Sequence, residues 1–137
     1  MADLQNTYRI VGAELTEFEL QPEGKSALGV GSSVDYDVSI EVMLSKEDKL
    51  LHFRTSITMR KKEEAAVHAS AHAVVVFQLF EMEKHVELQE PDQFTIEPNV
   101  NISMGRVSIG YARGALQAQL KQHGIINIVL PMLPFEY

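Results

Sequence analysis

Residues 34–42 read Val34-Asp35-Tyr36-Asp37-Val38-Ser39-Ile40-Glu41-Val42, with an apolar side chain at every even position and a polar one at every odd position. A period of two is typical of a β-strand with one buried and one solvated face. The pattern therefore predicts a strand whose even positions face a core. It also predicts that Asp35, Asp37 and Glu41 lie together on the opposite face.

Three further segments predict strands around this one. Residues 8–20 read as one strand with a bulge near Gly12, and residues 51–59 alternate in the same way as 34–42. A Pro- and Gly-containing loop spans residues 21–33, and a short polar turn joins the second and third strands. This succession favours an antiparallel meander of the first three strands, each beside the next. The fourth strand, 67–82, is apolar on both faces, so we expect part of it to be covered by something other than one helix of the same chain.

A polar connector at residues 83–101 precedes a predicted helix that begins near Asn101 or Ser103 and ends at Gly124. At 100° per residue the helix carries two apolar stripes on roughly opposite sides. The second stripe includes two glycines one turn apart, which would allow close approach of another copy, or would simply weaken the helix. The expected contact residues between copies are Val107, Gly110, Tyr111, Gly114 and Ala118.

Residues 125–137 are strongly apolar and contain Pro131 and Pro134, which forbid a continuing helix and favour an extended path. Such a segment is expected to pack on the sheet or to line a groove. The predicted architecture is α+β: a four-stranded antiparallel sheet, one long helix in the C-terminal half and an extended apolar tail. The length of 137 residues fits a single domain spanning residues 1–137.

Composition narrows the classes of partner. The chain has 12 Lys and Arg against 19 Asp and Glu, a net charge of −7 and a pI near 5.2, so nucleic acid and anionic membrane are poor partners. It has no cysteine, no apolar run long enough for a membrane span and no signal-peptide pattern at residues 1–6. A cytoplasmic protein without direct membrane insertion is the expectation.

One arrangement of residues in the sequence suggests a metal-binding site. Glu64, His68 and His72 are each four residues apart, which would place them on one face of a helix. On a strand the two histidines would be about 13 Å apart, and the apolar run that follows favours a strand. No Ser-His-Asp spacing or nucleotide-binding fingerprint occurs, so we expect no metal, no cofactor and no catalytic residues. A small metal-dependent or thioesterase-like enzyme is the alternative.

Three stretches carry a resemblance to a known family. They are Arg9-Ile10 leading into Glu14-Leu15-Thr16-Glu17-Phe18-Glu19, then Ile109-Gly110-Tyr111-Ala112-Arg113, and finally Ile128-Val129-Leu130-Pro131-Met132-Leu133-Pro134-Phe135. In this order, and with the same succession of parts along nearly the whole chain, the sequence resembles the SecB protein-export chaperones.

The resemblance implies a nucleotide-independent chaperone that holds unfolded precursor proteins in apolar grooves and keeps them export-competent. It implies a homodimer or homotetramer, with SecA as a candidate partner. The acidic face that would meet SecA comprises Glu14, Glu17, Glu19, Asp35, Asp37 and Glu41, for which a merely solvated strand face is the alternative.

The chain has more apolar surface than one small domain needs to bury. Together with the resemblance, this suggests which residues line the groove for the unfolded chain. The proposed set is Phe77, Phe80, Leu130, Met132, Leu133 and Phe135, with ordinary core packing as the alternative for each. No counterpart of the family's final helix and acidic tail follows Tyr137. A SecB-like chaperone dedicated to a toxin–antitoxin partner is therefore the competing interpretation.

Overall fold

The computed structural model describes residues 7–22, 34–61, 67–89 and 93–125. The strands of its main sheet are β1 (Tyr8–Leu20), β2 (Val34–Ser45), β3 (Leu50–Lys61) and β4 (Ala69–Leu79). A short helix α1 (Met82–His85), a hairpin of β5 (Val86–Gln89) and β6 (Gln93–Ile96), and the long helix α2 (Pro98–Gln122) follow. The predicted four-stranded α+β architecture is confirmed.

The order of strands in the main sheet is β1-β4-β3-β2, with every neighbouring pair antiparallel. The predicted meander of the first three strands is correct for the pairing of β2 with β3, but the expectation that β1 lies beside β2 is wrong. The 21–33 connection is much longer than a hairpin turn, so it does not force β1 to lie beside β2. Strand β1 can therefore pair with another strand. It pairs with β4, whose apolar residues on both faces suit a central position.

Strand β1 is irregular in two places. Its register against β4 shifts between Ile10 and Gly12, as predicted, and shifts again between Leu15 and Glu17. Each extra residue reverses the face on which the following side chains lie. In an unbroken strand, Glu14 would lie on the face opposite to Glu17 and Glu19. The second shift brings all three side chains onto one face.

The core lies between one face of the sheet and helix α2. The inward row of β3 is completely buried, and the even-numbered residues of β2 are half-buried on the same face, as their alternation predicted. On the helix, the predicted stripe of Ile109, Ala112, Leu116 and Leu120 is buried. The opposite face of the sheet is not covered by any described element of the chain.

Helix α2 begins earlier than predicted and ends where predicted. Pro98 is its first residue, because the fixed φ of proline suits the first helical turn and its missing N–H needs no partner there. At the other end Gly124 has φ 82°, and the amides of Gly124 and Ile125 donate to the carbonyls of Lys121 and Leu120. This pair of hydrogen bonds is a Schellman motif, which only a residue tolerant of positive φ can close without strain.

The polar connector at residues 83–101 contains secondary structure that sequence analysis did not predict. Within it, α1 and the β5–β6 hairpin place Val86, Phe94 and Ile96 against the core between β2 and the start of α2. The predicted fourth strand, 67–82, is correspondingly shorter, because Glu81 has a left-handed φ of 56° that ends it. Each strand of this hairpin has only four residues, too few for their alternation to stand out within a polar connector.

The buried hydroxyl of Thr55 provides a stability test. Thr55 is 0% exposed, and its Oγ1 has no hydrogen-bond partner among the described residues. Because a buried unpaired hydroxyl is unfavourable, we expect Thr55→Val to raise the free energy of unfolding by about 1 kcal/mol. Urea denaturation measures this, with Thr58→Val on the outer face of the same strand as a control expected to change little. A loss of stability in Thr55→Val would show that the hydroxyl is satisfied.

Candidate functional site

The uncovered face of the sheet carries all six predicted acidic residues. Glu14, Glu17 and Glu19 lie on β1, while Asp35, Asp37 and Glu41 lie on β2, and all six are exposed. Because β1 and β2 are the two edge strands, the acids form two columns about 14 Å apart, separated by β4 and β3. The structure thus divides the predicted acidic face into two parallel rims.

The strip between the rims is mixed, with two valines and two arginines among hydroxyl, amide and imidazole side chains. Across β4 and β3 the register places Val74 beside Arg54 and Val76 beside His52. Arg60 Nη2 lies 2.5 Å from Asp37 Oδ2 and neutralises part of the β2 rim. Arg9 Nε donates to Gln78 Oε1 at 2.7 Å near the end of the β1 rim.

Three strands bring together a serine, a histidine and a glutamate that are far apart in the sequence. Ser56 Oγ and His72 Nδ1 are 2.6 Å apart, and His72 Nε2 lies 3.7 Å from Glu17 Oε2. Sequence analysis missed this group because the three residues share no spacing, and only the paired register of β1, β4 and β3 aligns them. The three residue types are those of acyl-transfer triads, but the two ring nitrogens are exchanged, since the triad serine bonds Nε2 and the triad carboxylate bonds Nδ1.

The surroundings of Ser56 argue against that chemistry. Acyl transfer needs backbone N–H donors aimed at the developing oxyanion. Ser56 and His72 lie on β3 and β4, the two central strands, which are paired on both sides. Their backbone donors are therefore committed to the sheet.

The stripe of α2 that is predicted to contact another copy is only partly exposed to solvent. Gly110, Gly114 and Ala118 are exposed, and a Cβ added at either glycine would meet nothing within 4 Å. Packing among the described residues therefore does not require these glycines. Val107 and Tyr111 are half-buried and pack against the core from the edge of the stripe. Contact between copies along this stripe stays a prediction.

Residues of the predicted apolar groove fall in three places. Phe77 is 0% exposed, with its ring packed edge-on against Tyr8 and Phe53 at centroid distances of 5.2 Å. It is a core residue and not part of an open groove, because inward positions of β4 face helix α2. Phe80 is 41% exposed just beyond the end of β4. Leu130, Met132, Leu133 and Phe135 lie outside the described residues.

A groove that sequence analysis did not predict opens between the β2–β3 turn and the segment from α1 to the start of α2. Its volume is about 980 Å³. Its apolar lining residues are Leu44, Met82, Val86, Leu88, Ile96 and Pro98. We call it the hairpin groove. Lys46, Lys49 and Lys84 lie along it, together with Glu83, Glu87 and Glu97.

Two of these charged residues have partners within the chain. His85 Nδ1 is 2.7 Å from Glu97 Oε2, and Lys84 Nζ is 3.0 Å from Glu81 Oε2. The hydrogen bond and charge of Glu81 raise the pKa of Lys84. Among the described residues, Lys46 and Lys49 have no ion-pair partner.

Candidate metal ligands are not grouped in the part of the chain that the structure describes, which contains no cluster of three side chains suited to hold a metal ion. His68 is buried just before β4 and His72 points outward from it, while Glu64 lies outside the described residues. None of the described helices combines the length and the apolarity needed to cross a bilayer.

No protein-family model matches the chain, and no curated protein matches it by sequence. Among solved structures it is similar to the SecB-like chaperone Rv1957 of Mycobacterium tuberculosis, in complex with a ChAD peptide from the Rv1956 HigA1 antitoxin. The TM-score is 0.61 at 14% identity, over 96% of this chain and 91% of that one. Together with the strand order and the long helix α2, this similarity shows that the chain has a SecB-like fold.

Proposed function

We propose that this protein is a nucleotide-independent chaperone that binds unfolded polypeptides through exposed apolar surface. The supporting observation is a SecB-like fold that leaves large apolar side chains exposed at several separate places. They are Ile10, Val11, Met43, Val67, Phe80 and Leu88, each between 40% and 56% exposed. Scattered apolar sites of modest affinity suit a long unfolded client, because binding at several sites at once multiplies the affinity.

Charge supports the same proposal. A net charge of −7 keeps the free chaperone soluble and attracts cationic unfolded chains. The two acidic rims of the outer face also suit a basic partner, with SecA as the candidate for export. Assembly into a dimer or tetramer through the exposed stripe of α2 would multiply the binding sites.

Aggregation of a chemically denatured precursor, diluted with and without the protein and without ATP, tests the proposal by light scattering. We expect suppression near stoichiometric ratios and weaker suppression by Phe80→Asp. Ser39→Asp is the matched control, because it adds the same charge to an exposed strand position without removing an apolar side chain. Failure of the correctly folded wild-type protein to suppress aggregation would contradict general chaperoning.

A second candidate is a chaperone dedicated to one toxin–antitoxin system. The observation that favours it is that the similar Mycobacterium tuberculosis chaperone was solved with an antitoxin peptide. Two unrelated denatured proteins distinguish the candidates, since a general chaperone suppresses aggregation of both. A dedicated one protects neither, but keeps a co-expressed antitoxin soluble.

A further inference from the structure

Permanent positive charges accompany the β2 rim of the outer face. Arg60 is ion-paired with Asp37 and lies directly across from Asp35. Arg54 lies directly across from Glu41. Because arginine remains protonated at every pH near neutrality, the two guanidinium groups offset part of the negative charge of this rim at all such pH values.

The β1 rim has a histidine beside it instead. The register places His72 of β4 directly across from Glu17, and Nε2 of the ring lies 3.7 Å from Glu17 Oε2. Glu14 and Glu19 lie on the same rim, and Arg9 lies near its end. Imidazole is the side chain whose charge ordinarily changes between about pH 5 and 8. The net charge along the β1 rim therefore depends on pH, whereas that of the β2 rim does not.

The contacts of His72 are compatible with both charge states of the ring. Ser56 Oγ lies 2.6 Å from Nδ1, and a hydroxyl can donate to a neutral ring or accept from a protonated one. Thr16 lies at the second bulge of β1, and its hydroxyl donates to the backbone oxygen of His72 at 3.0 Å. This hydrogen bond ties the strand next to Glu17 to β4, as expected of a bulge that redirects a side chain.

The carboxylate of Glu17 can be engaged by His72 or left for a partner. A separation of 3.7 Å is too long for a direct hydrogen bond, but a protonated ring attracts the carboxylate and can form a charge-assisted one. The side chain of Glu17 is 51% exposed, so it is also within reach of a cationic group on another protein.

We propose that protonation of His72 regulates the docking of a basic partner on the β1 rim. With a neutral ring, Glu17 is free to bind a lysine or arginine of the partner. With a protonated ring, Glu17 pairs with His72 and the partner meets an additional positive charge, so docking is weaker in mild acid. This inference rests on the proposed function, for which it identifies the regulation of one surface.

A second histidine of the outer face provides the matched control. His52 of β3 lies beside Val76, four residues along the strand from Ser56. At the rise of an extended strand it is about 13 Å from the row that contains Glu17 and His72. Its protonation is therefore expected to change docking on the β1 rim much less.

Fluorescence anisotropy of a dye-labelled peptide of alternating Lys and Gly, with both ends blocked, tests the inference at low ionic strength. Lysine and carboxylate side chains ordinarily keep their charges between about pH 5.5 and 8, so histidines account for most of the change. We expect the Kd of wild type to be about fivefold higher at the acidic end of this range, the effect of one unit charge at about 4 Å in water. His72→Gln is expected to remove the pH effect, and His52→Gln to keep it.

Glu17→Gln provides a second test at an exposed position. At the alkaline end of the range we expect it to bind the probe about as weakly as wild type does in mild acid, because neither then offers the partner a free carboxylate at this position. Circular dichroism of each variant at both pH values separates a change in docking from a loss of folding.

The outcomes separate this inference from the proposed function. Equal pH dependence in wild type and His72→Gln would overturn the inference, while suppression of aggregation by wild type would still support a chaperone. Loss of the pH effect in His52→Gln would overturn it too, because the effect would then arise elsewhere on the face. If wild type binds the probe at neither pH, docking on the rims fails and the inference fails with it.

Discussion

Phe77→Ala is expected to lower the free energy of unfolding by about 3–5 kcal/mol, the usual range for removing a fully buried phenylalanine. Phe77 is 0% exposed and its ring lies edge-on to two others, Tyr8 and Phe53. Truncation would leave a cavity next to both rings, and the sheet and helix can close it only in part. Urea denaturation at one fixed protein concentration measures the loss, because assembly would otherwise shift the transition.

The matched control is Phe80→Ala, three residues along the chain. Phe80 is 41% exposed, so we expect a loss below about 1 kcal/mol. Phe77→Leu keeps most of the side-chain volume, so its free energy of unfolding can still be measured if the alanine variant does not fold. Equal losses in the two alanine variants would contradict the assignment of Phe77 to the core. Reduced client binding in Phe80→Ala alone would assign that residue to the binding surface.

Ala112→Leu is expected to destabilise the protein by about 1–3 kcal/mol through overpacking. Helix α2 lies close to the sheet because small residues meet there: Ala112 is 0% exposed, and Ala69, Ala71 and Ala73 of β4 are each 1% exposed in the same cluster. A larger side chain must push the helix away from β4 or adopt a strained rotamer. Thermal or urea unfolding measures the effect.

Ala118→Leu makes the same change on the exposed side of the helix. Its effect on the stability of the single chain is expected to stay within about 0.5 kcal/mol. If the exposed stripe is a contact between copies, the mass measured by light scattering will also change in this variant. Full stability of Ala112→Leu would contradict the close helix–sheet packing.

The predictions that succeeded from sequence depended on local rules. Alternation in residues 34–42 assigned the buried and exposed sides of β2 because successive side chains of a strand must point in opposite directions. Gly124 marked the end of α2 because few other residues adopt a φ of 82° without strain. The helix start was wrong because Pro98 at the first helical position competes with the polar caps at Asn101 and Ser103.

The functional surfaces depended on which strands pair, and no local pattern contains that information. Pairing of β1 with β4 places Glu17, His72 and Ser56 in one row and separates the acids into two rims. Among the described residues it also leaves one edge of β2 unpaired, beside a hairpin that the polar composition of residues 83–101 did not reveal. Alternation along one strand determines which face each side chain occupies. Hydrogen bonding between segments distant in the chain determines its neighbours, and therefore the rims and the groove.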